Sequence, residues 1–333
     1  MQSTAWQPDV NLTMLQLRAE MLARIRDFFS ARGVLEVDTP AMSTAAVTDP
    51  HLASFSTCFN GPGPRYQQTL YLHTSPEFGM KRLLAAGSGD IYQIAKVFRD
   101  GELGDHHNPE FTLLEWYRLG FDHHCLMDEV AALIMHLRYT FSDTPVTVRR
   151  YAYRELFQMH LALDPLQSTV AELSRCACDN NISFTNGMSL DNKDAWLDLL
   201  LSHCIEPRLD PNELTFVYDY PATQAALARI HANDPTLAER FELYWGGLEL
   251  ANGFHELKDA NEQRRRFQAD NRSRAKLGVP LLPLDEQFLA ALPQLPDCSG
   301  VALGIDRLLM LQTGKTRLGE VLVFPFPQED EQP

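Results

Sequence analysis

Hydrophobic residues recur every three or four positions near the start of the chain, and this spacing predicts an amphipathic helix over residues 12–31. Leu15, Leu22, Ile25 and Phe29 share its predicted apolar face. Gly33 follows as a glycine that ends the helix. Short apolar runs beyond it have the length and composition of strands. These predicted strands cover residues 34–37, where Pro40 stops the run, and residues 70–73, 91–98 and 111–117.

A hairpin is the clearest pattern in the second half of the chain. Apolar and polar residues alternate through residues 241–256, and Gly246 and Gly247 form the predicted turn. Other predicted elements are helices at 126–137, over most of about 149–210 and at 259–275, then a strand at 301–303 and a helix at 305–311. This order of strands and helices predicts an α+β fold with an antiparallel sheet.

The composition is that of a globular protein with reduced thiols. Of its 333 residues 45% are hydrophobic, and we expect one domain over residues 12–327 with a disordered tail at 328–333. The net charge of -15 lacks the basic surplus that nucleic-acid binding usually needs. Six scattered cysteines favour the cytoplasm. We expect neither a membrane span nor a signal peptide, because no apolar run of suitable length occurs.

Several motif-like segments fail on spacing or context. Residues 314–316 resemble the end of a P-loop, but Leu309 stands where its first glycine is required. Residues 255–256 begin like a zinc-protease motif, but Asp259 replaces its second histidine. Residues 122–125 (DHHC) spell a signature of membrane-embedded palmitoyltransferases, and without a span we expect a solvated loop before a helix. Cys176 and Cys178 lack a second ligand pair and are expected to be helix or core residues.

Two arginines lie in short segments that suit the activation of a carboxylic acid by ATP. Negative charge accumulates where the acid attacks the α-phosphate, and a fixed guanidinium stabilises it. Arg99, at the end of a predicted strand, is placed for that role, although a surface ion pair is the plainer interpretation of it alone. Phe111 offers a face for adenine, or packs in the core. Arg307 could stack on the opposite face of adenine and reach the γ-phosphate.

Neighbouring polar residues and a glycine extend this candidate site. Asn108 precedes a proline and offers hydrogen bonds from an extended backbone, and Gly304 permits close approach of the backbone to a nucleotide. Glu249 and Glu256 of the hairpin could share Mg²⁺ with ATP oxygens. Glu256 could equally face a substrate ammonium, and both carboxylates could instead lie on a solvent face of the sheet.

A further group of residues suits a substrate amine. Glu77, in the segment 75–77 (SPE), could partner an ammonium. Strand alternation puts Phe111, Glu115 and Tyr117 on one face. Tyr117 therefore either shares a pocket with Phe111 or packs in the core.

Three segments in chain order resemble the three motifs of class II aminoacyl-tRNA synthetases. They are residues 33–40 (GVLEVDTP), 98–111 (FRDGELGDHHNPEF) and 300–307 (GVALGIDR). Three strings are similar to the lysyl-tRNA synthetase branch in particular, namely residues 74–77 (TSPE), 107–111 (HNPEF) and 249–257 (ELANGFHEL). The resemblance covers about residues 12–324. It implies a catalytic core with an antiparallel sheet flanked by helices, ATP and Mg²⁺ as cofactors, and a homodimer formed through motif 1.

Residue roles follow from the resemblance. Arg99 and Arg307 would be catalytic, and Glu249 and Glu256 would hold the metal. The ATP-binding residues that it implies are Arg99, Asp100, Gly101, Asn108, Phe111, Glu249, Leu250, Gly304 and Arg307. The substrate-binding residues are Ser75, Pro76, Glu77, Tyr117, Glu256 and Ala302.

Departures from lysyl-tRNA synthetases point to another acceptor. With no room before motif 1 for their OB-fold anticodon-binding domain, the chain resembles the truncated synthetase paralogues that attach (R)-β-lysine to the ε-amine of a lysine on elongation factor P. We therefore do not expect tRNA binding. Ala302 stands where the synthetases have glycine, which suits a β-amino acid. Gly101 holds the glutamate position of motif 2, and Asn261 replaces a glutamate expected after Glu256.

Three other functions stay open from the sequence. A tRNA ligase without an anticodon domain would need a basic surface, which the composition does not indicate. A small-molecule amide synthetase of the asparagine synthetase A type would turn over with ammonia, and the lysyl-branch strings disfavour it. A catalytically silent binding or regulatory module would have no need of Arg99, Glu249, Glu256 and Arg307.

Overall fold

The computed structural model describes residues 6–63, 65–138, 146–182 and 192–327, so the predicted tail at 328–333 lies outside the described residues. The helices are α1 (Leu12–Ser30), α2 (Glu77–Ala85), α3 (His123–Arg138), α4 (Tyr153–Leu161), α5 (Val170–Asp179), α6 (Lys193–Leu200), α7 (Ala260–Leu277), α8 (Glu286–Ala291) and α9 (Ile305–Gln312). The strands are β1 (Leu35–Glu36), β2 (Met42–Ser43), β3 (Ser56–Phe59), β4 (Gln68–Leu72), β5 (Ile91–Phe98), β6 (Glu110–Leu119), β7 (Thr147–Ala152), β8 (Glu213–Pro221), β9 (Leu237–Trp245), β10 (Leu248–His255) and β11 (Cys298–Gly304). Short helical turns occupy Leu201–Ile205, Glu206–Arg208, Ala222–Gln224, Leu292–Gln294 and Leu318–Glu320.

The chain forms two compact units that alternate along the sequence. Unit 1 falls within residues 1–120, 132–143 and 258–333, and unit 2 falls within residues 121–131 and 144–257. The single domain expected over residues 12–327 thus contains two compact bodies, and its treatment as one domain stays a prediction. Strands flanked by helices in each unit confirm the α+β class.

Unit 1 is built on four strands in the order β1-β5-β6-β11. β5 and β6 pair antiparallel from Ile91 opposite Tyr117 to Phe98 opposite Glu110. β6 also pairs antiparallel with β11, whereas β1 runs parallel to β5. The prediction of β5 matches its bounds. The strand predicted at 70–73 belongs instead to a separate small sheet of order β2-β4-β3.

Helix α1 covers one face of the unit 1 sheet. The Phe29 ring stacks on Tyr92 at 4.4 Å between centroids and meets Trp116 edge-on at 5.4 Å. The buried side chains of α1 are Met14, Met21, Ile25, Phe28 and Phe29. Leu15 and Leu22, predicted on this face, are only half-buried. Within the described ranges, no helix combines the length and apolarity needed to cross a membrane.

A buried ion pair joins α1, β6 and α9 in unit 1. Arg18 Nη1 lies 2.5 Å from Asp306 Oδ1, and Arg18 Nη2 donates to Thr112 Oγ1 at 2.8 Å. The backbone N–H of Thr112 donates to Asp306 Oδ2 at 2.7 Å. The start of α9, which carries Arg307, is thereby fixed against β6.

Unit 2 is built on four strands in the order β10-β9-β8-β7. The predicted hairpin is present as β9 and β10, and Gly246 and Gly247 take φ of 61° and 77°, which a two-residue hairpin turn requires. Helices α4, α5 and α6 share an apolar cluster that includes Phe157, Leu173 and Trp196. Three helices lie in the stretch at about 149–210 that was expected to be mostly helical, but its first residues belong to β7, which pairs parallel with β8. Two exposed arginines in β7 obscure the alternation expected of a strand.

Candidate functional site

Arg99 follows β5 directly and lies beside Phe111. The guanidinium carbon of Arg99 is 5.0 Å from the Phe111 ring centroid, and its Nη1 is 3.5 Å from Glu102 Oε1. Its backbone N–H donates to the carbonyl of Pro109 at 2.9 Å, which closes the loop between β5 and β6. The Arg99 Nε is buried and has no hydrogen-bond partner in the described part of the chain. A cation beside an aromatic face, with a donor still available, suits the predicted nucleotide contact.

Gly101 explains how motif 2 departs from its usual form. Its φ of +80° lies in the left-handed region, and a Cβ there would meet no atom within 4 Å. Glycine is therefore favoured by conformation and not by crowding. The turn follows Asp100, whose N–H donates to the carbonyl of Ala53 at 2.8 Å, and it brings Glu102 to Arg99. Glu102 thus follows one residue later than the glutamate of the usual motif and still reaches the arginine.

Arg307, on the first turn of α9, contacts two histidines that sequence reasoning did not assign. Its Nε donates to the carbonyl of His106 at 3.2 Å, and its Nη2 donates to His107 Nε2 at 2.8 Å. Burial and the nearby Arg307 lower the pKa of His107, which keeps the imidazole a neutral acceptor. Gly304 caps this helix with φ of -74°, which any residue can adopt. Its predicted role therefore depends only on the close approach of its backbone to the nucleotide.

Asn108 holds the loop in place. Its side-chain amide donates to the carbonyl of Glu110 at 2.6 Å, and its Oδ1 accepts from the backbone of Phe326 at 2.9 Å. Both polar ends of this predicted ATP contact are thus engaged within the protein.

Two predicted substrate residues converge on Glu115, which the sequence placed on the same face but to which it gave no role. Ser75 Oγ donates to Glu115 Oε2 at 2.6 Å, and the Tyr117 hydroxyl donates to Oε1 at 2.6 Å. Glu115 is 2% exposed. Burial, and next the charge of Glu77, raise the pKa of Glu115 to about 7. An ammonium group entering this space would restore its ionised form.

Glu77 meets a cation of the protein itself. Lys81 Nζ lies 2.5 Å from Glu77 Oε1 one turn along α2, and Lys81 is almost fully buried. Pro76 caps this helix, and the Glu77 N–H donates to Ser75 Oγ at 3.0 Å. Segment 75–77 therefore ties the start of α2 to Glu115.

Ala302 lies directly opposite Glu115 in the pairing of β11 with β6. Paired residues project from the same face with Cβ atoms about 5 Å apart, so the Ala302 methyl narrows the space beside this carboxylate. Ala302 and Phe111 pack on Ala95, Val97 and Leu113. Asn261, in contrast, is exposed at the first turn of α7, where its N–H donates to Asp259.

The predicted metal pair lies in unit 2 and depends on a bulge in β10. Pairing with β9 shifts between Glu249 and Ala251, which leaves Leu250 as the extra, buried residue. Without that shift Glu249 and Glu256, seven residues apart, would project from opposite faces of the strand. The bulge puts both on one face, together with Asn252. Leu250, which was predicted to bind ATP, is the extra residue that causes this register change.

A buried polar network surrounds Glu242 on the same face, and the sequence analysis missed it. Glu242 forms an ion pair with Arg240 and accepts hydrogen bonds from the hydroxyls of Tyr220 and Tyr244, both at 2.6 Å. Asn252 Nδ2 also donates to it at 3.4 Å. The sequence offers one signal for this network, because Glu242 occupies a polar position in the alternation of β9. Such a position resembles a solvent-exposed one until its burial is known.

The structure thus groups the predicted residues within each unit. In unit 1, Phe111, Glu115, Tyr117 and Ala302 share one sheet face, and Arg99 lies against Phe111. In unit 2, the two hairpin glutamates share a face.

Comparison with known proteins gives one consistent result. The model of the family "tRNA synthetases class II (D, K and N)" matches residues 5–328. The chain is 51% identical over 323 residues to the elongation factor P--(R)-beta-lysine ligase of Vibrio vulnificus, covering 97% of this chain and 98% of that protein. The identity is 50% over 329 residues to the ligase of that name from Vibrio cholerae (98% and 100% covered). It is 49% over 327 residues to that from Klebsiella pneumoniae (97% and 98%).

Proposed function

The chain belongs to the class II tRNA synthetase family and, within it, to the elongation factor P--(R)-beta-lysine ligases, and from this premise we propose what it does. It is an ATP-dependent ligase that activates (R)-β-lysine as an aminoacyl-adenylate and transfers it to the ε-amine of a lysine on elongation factor P. The three alternatives left open by the sequence lose support, because the three relatives described above share this one name and match this chain over almost its whole length.

The observation that carries the proposal in the structure is the buried carboxylate of Glu115. A carboxylate that is held by two hydroxyl donors and closed to solvent favours an ammonium partner, and the nearby Lys81 ammonium already acts on Glu115 in this sense. Ser75 and Tyr117 orient Glu115, while Lys81 already balances Glu77. We therefore assign Glu115 a leading role in binding a substrate ammonium and Glu77 a supporting one. The Ala302 methyl occupies part of the space beside the Glu115 carboxylate and therefore influences which amino acid fits there.

In the first step, the β-lysine carboxylate attacks the α-phosphorus of ATP, and pyrophosphate leaves with the electrons of the broken P–O bond. The Arg99 guanidinium offsets the charge that gathers there, and Phe111 receives the adenine ring. Arg307 binds the phosphate chain, and its contacts with His106 and His107 fix its direction before ATP arrives. Asp100, Gly101, Asn108 and Gly304 shape the loop and helix start around the nucleotide.

Mg²⁺ fits the donor set of the hairpin. Glu249 and Glu256 share a face because of the bulge, and oxygen donors from carboxylates are those that Mg²⁺ prefers. When bound, the ion would neutralise phosphate charge. Glu256 could alternatively face the substrate's second ammonium.

In the second step, the ε-amine of the acceptor lysine attacks the carbonyl carbon of the adenylate. An amide bond forms, AMP leaves, and the amine loses a proton. No covalent intermediate with the enzyme is required because AMP is a good leaving group, and we assign no general base.

We further propose a homodimer, formed through the motif 1 segment, that works in the cytoplasm without binding tRNA. Support comes from the exposed apolar side chain of Leu35 in β1, from six free cysteines that suit a reducing compartment, and from the net charge of -15.

An acceptor competition tests the function. The enzyme is incubated with ATP and either (R)-β-lysine or α-lysine and is then offered elongation factor P or bulk tRNA. We expect a mass gain on the protein, with β-lysine preferred. Charging of tRNA without modification of elongation factor P would contradict the proposal, and absence of ATP–pyrophosphate exchange with every amino acid would favour the silent module.

Arg307→Ala tests the ATP site separately. We expect its ATP–pyrophosphate exchange to fall by roughly two to three orders of magnitude, the loss typical when one donor to developing charge is removed. Arg264→Ala is the matched control, because Arg264 pairs with Glu286 on the surface of the same unit. Normal exchange in the Arg307 variant would remove this residue from the site.

A further inference from the structure

Three titratable side chains cluster in unit 2 away from the face that carries Glu249 and Glu256. His123, Glu239 and His255 each offer a ligand atom, and these atoms lie within 4.8 Å of one another. His255 and Glu256 are successive residues and project from opposite faces of the hairpin, since β-strand side chains alternate. The cluster is therefore separate from the carboxylate pair assigned to Mg²⁺.

His123 is the least expected member. The sequence predicted a solvated loop before a helix at residues 122–125. Asp122, His124 and Cys125 are exposed as expected, but α3 already begins at His123, and the His123 side chain is only 3% exposed. Among the described residues neither ring nitrogen of His123 has a hydrogen-bond partner. A buried imidazole without a hydrogen bond costs free energy. A bound ion that took a His123 nitrogen as a ligand would recover part of that cost.

Asp219 lies beside His123 but outside the group of three ligand atoms. Its Oδ1 lies 3.3 Å from His123 Nε2, and this oxygen is buried without a hydrogen bond in the described structure. The pairing of β8 with β9 shifts between Tyr218 and Tyr220, and Asp219 between them takes φ of +56°, which is unusual for a residue other than glycine. The strand thus departs from regular geometry where this carboxylate meets His123.

The charged side chains around the cluster are negative overall, which favours binding of a cation. Asp219 and Glu239 bring two negative charges, and Arg229, whose Nε lies 3.3 Å from Glu239, brings one positive charge. His255 Nδ1 forms a short hydrogen bond with Glu239. Leaving the two imidazoles aside, these three charges sum to -1 in a largely buried position.

We propose that His123, His255 and Glu239 form a binding site for a divalent ion of the Zn²⁺ class, with Asp219 beside it. Two imidazole nitrogens and one carboxylate oxygen form a protein ligand set that Zn²⁺ takes, with bonds of about 2.0–2.2 Å. In tetrahedral geometry such bonds place donor atoms roughly 3.3 Å apart, so the three ligand atoms, which lie within 4.8 Å of one another without an ion, would draw together on binding. The ion takes the place of the proton between His255 and Glu239 and releases that proton to solvent.

The site has a structural consequence for its neighbours. It links the start of α3 to strands β9 and β10 of the same unit, at the end of β10 that leads to Glu256. Both histidines are buried, and the group lies on the face opposite the carboxylate pair, so we assign the ion a structural role.

Metal titration tests the proposal directly. Untagged protein is treated with EDTA, dialysed, and titrated with Zn²⁺ by calorimetry and with Co²⁺ by visible absorption. We expect one ion per chain and a tetrahedral Co²⁺ spectrum that lacks the thiolate charge-transfer band. His123→Gln should weaken binding at least about tenfold, the loss typical even of residues that only support a metal ligand. His160→Gln, which changes a histidine of α4 in the same unit, should bind as the parent does.

Glu239→Gln provides a second test should His123→Gln fail to fold, with circular dichroism as the check on both. Substoichiometric binding, equal affinity in parent and His123→Gln, or a cobalt–thiolate band that assigns the ion to cysteine would each overturn the proposal.

Discussion

At the scale of single residues, Glu115 is a buried carboxyl group with a raised pKa. Its pKa of about 7 means that the folded protein holds this proton far more tightly than an unfolded chain, in which a glutamate titrates near 4.5. Between those two pH values the folded state binds more protons than the unfolded state. Stability from this group is therefore full below pH 4.5 and declines as the pH rises towards 7.

Glu115→Gln removes that dependence, because an amide does not titrate. We expect its melting temperature, relative to the parent without substrate, to be higher at pH 8 than at pH 5. A constant offset from imperfect hydrogen bonds to Ser75 and Tyr117 adds equally at both pH values. Thermal unfolding measured across this range checks the result. Glu110→Gln, at the exposed start of the same strand, should show no such trend, and an equal difference at pH 5 and pH 8 for Glu115→Gln would contradict the assignment.

At the scale of elements, the ion pair of Arg18 with Asp306 fixes α9 to α1 and β6. Asp306 is 2% exposed, so its removal leaves Arg18 and the Thr112 N–H without their acceptor. We expect Asp306→Ala to lower the free energy of unfolding by about 3–5 kcal/mol, the usual cost of breaking a buried pair. Urea denaturation measures this change.

Glu20→Ala is the control for that experiment. It breaks the exposed pair of Arg24 with Glu20 on the outer side of α1, which should cost less than about 1 kcal/mol. Replacing both buried partners, as Arg18→Met with Asp306→Leu, should recover much of the loss, because an apolar pair needs no desolvation of charge. Equal losses from Asp306→Ala and Glu20→Ala would show that the buried pair is dispensable.

Elements also show where prediction from the sequence succeeded. β5 and the β9–β10 hairpin were predictable because alternation and a glycine pair are local signals. β7 was not, since its stability comes from pairing with β8, which lies some sixty residues later. The sequence likewise does not show that Ser75 and Tyr117 both contact Glu115. It also does not show that Glu249 and Glu256 share a face. The first depends on contacts distant in sequence, and the second on a bulge that alternation alone cannot reveal.

At the scale of the whole molecule, Leu35 bears on assembly. It is 56% exposed in a strand of only two residues, within the motif 1 segment through which we expect dimerisation. Light scattering after size exclusion should give twice the chain mass of 37.7 kDa for the parent. Leu35→Glu should shift the protein towards one chain mass, because a charge in an apolar interface is costly. Leu281→Glu, at an equally exposed leucine in a loop of unit 1, should leave the mass unchanged, and a parent of one chain mass would contradict the dimer.

The pairing of β6 with β11 has a consequence for synthesis. β6 is complete at Leu119, but the strand that covers its second edge begins at Cys298, after all of unit 2 has been made. At ordinary translation rates that interval lasts on the order of ten seconds. Throughout it the nascent chain carries an apolar strand with an open edge, the kind of surface on which aggregation begins. The yield of soluble enzyme in a cell should therefore depend on ribosome pace and chaperone supply during that interval as well as on the stability of the finished fold.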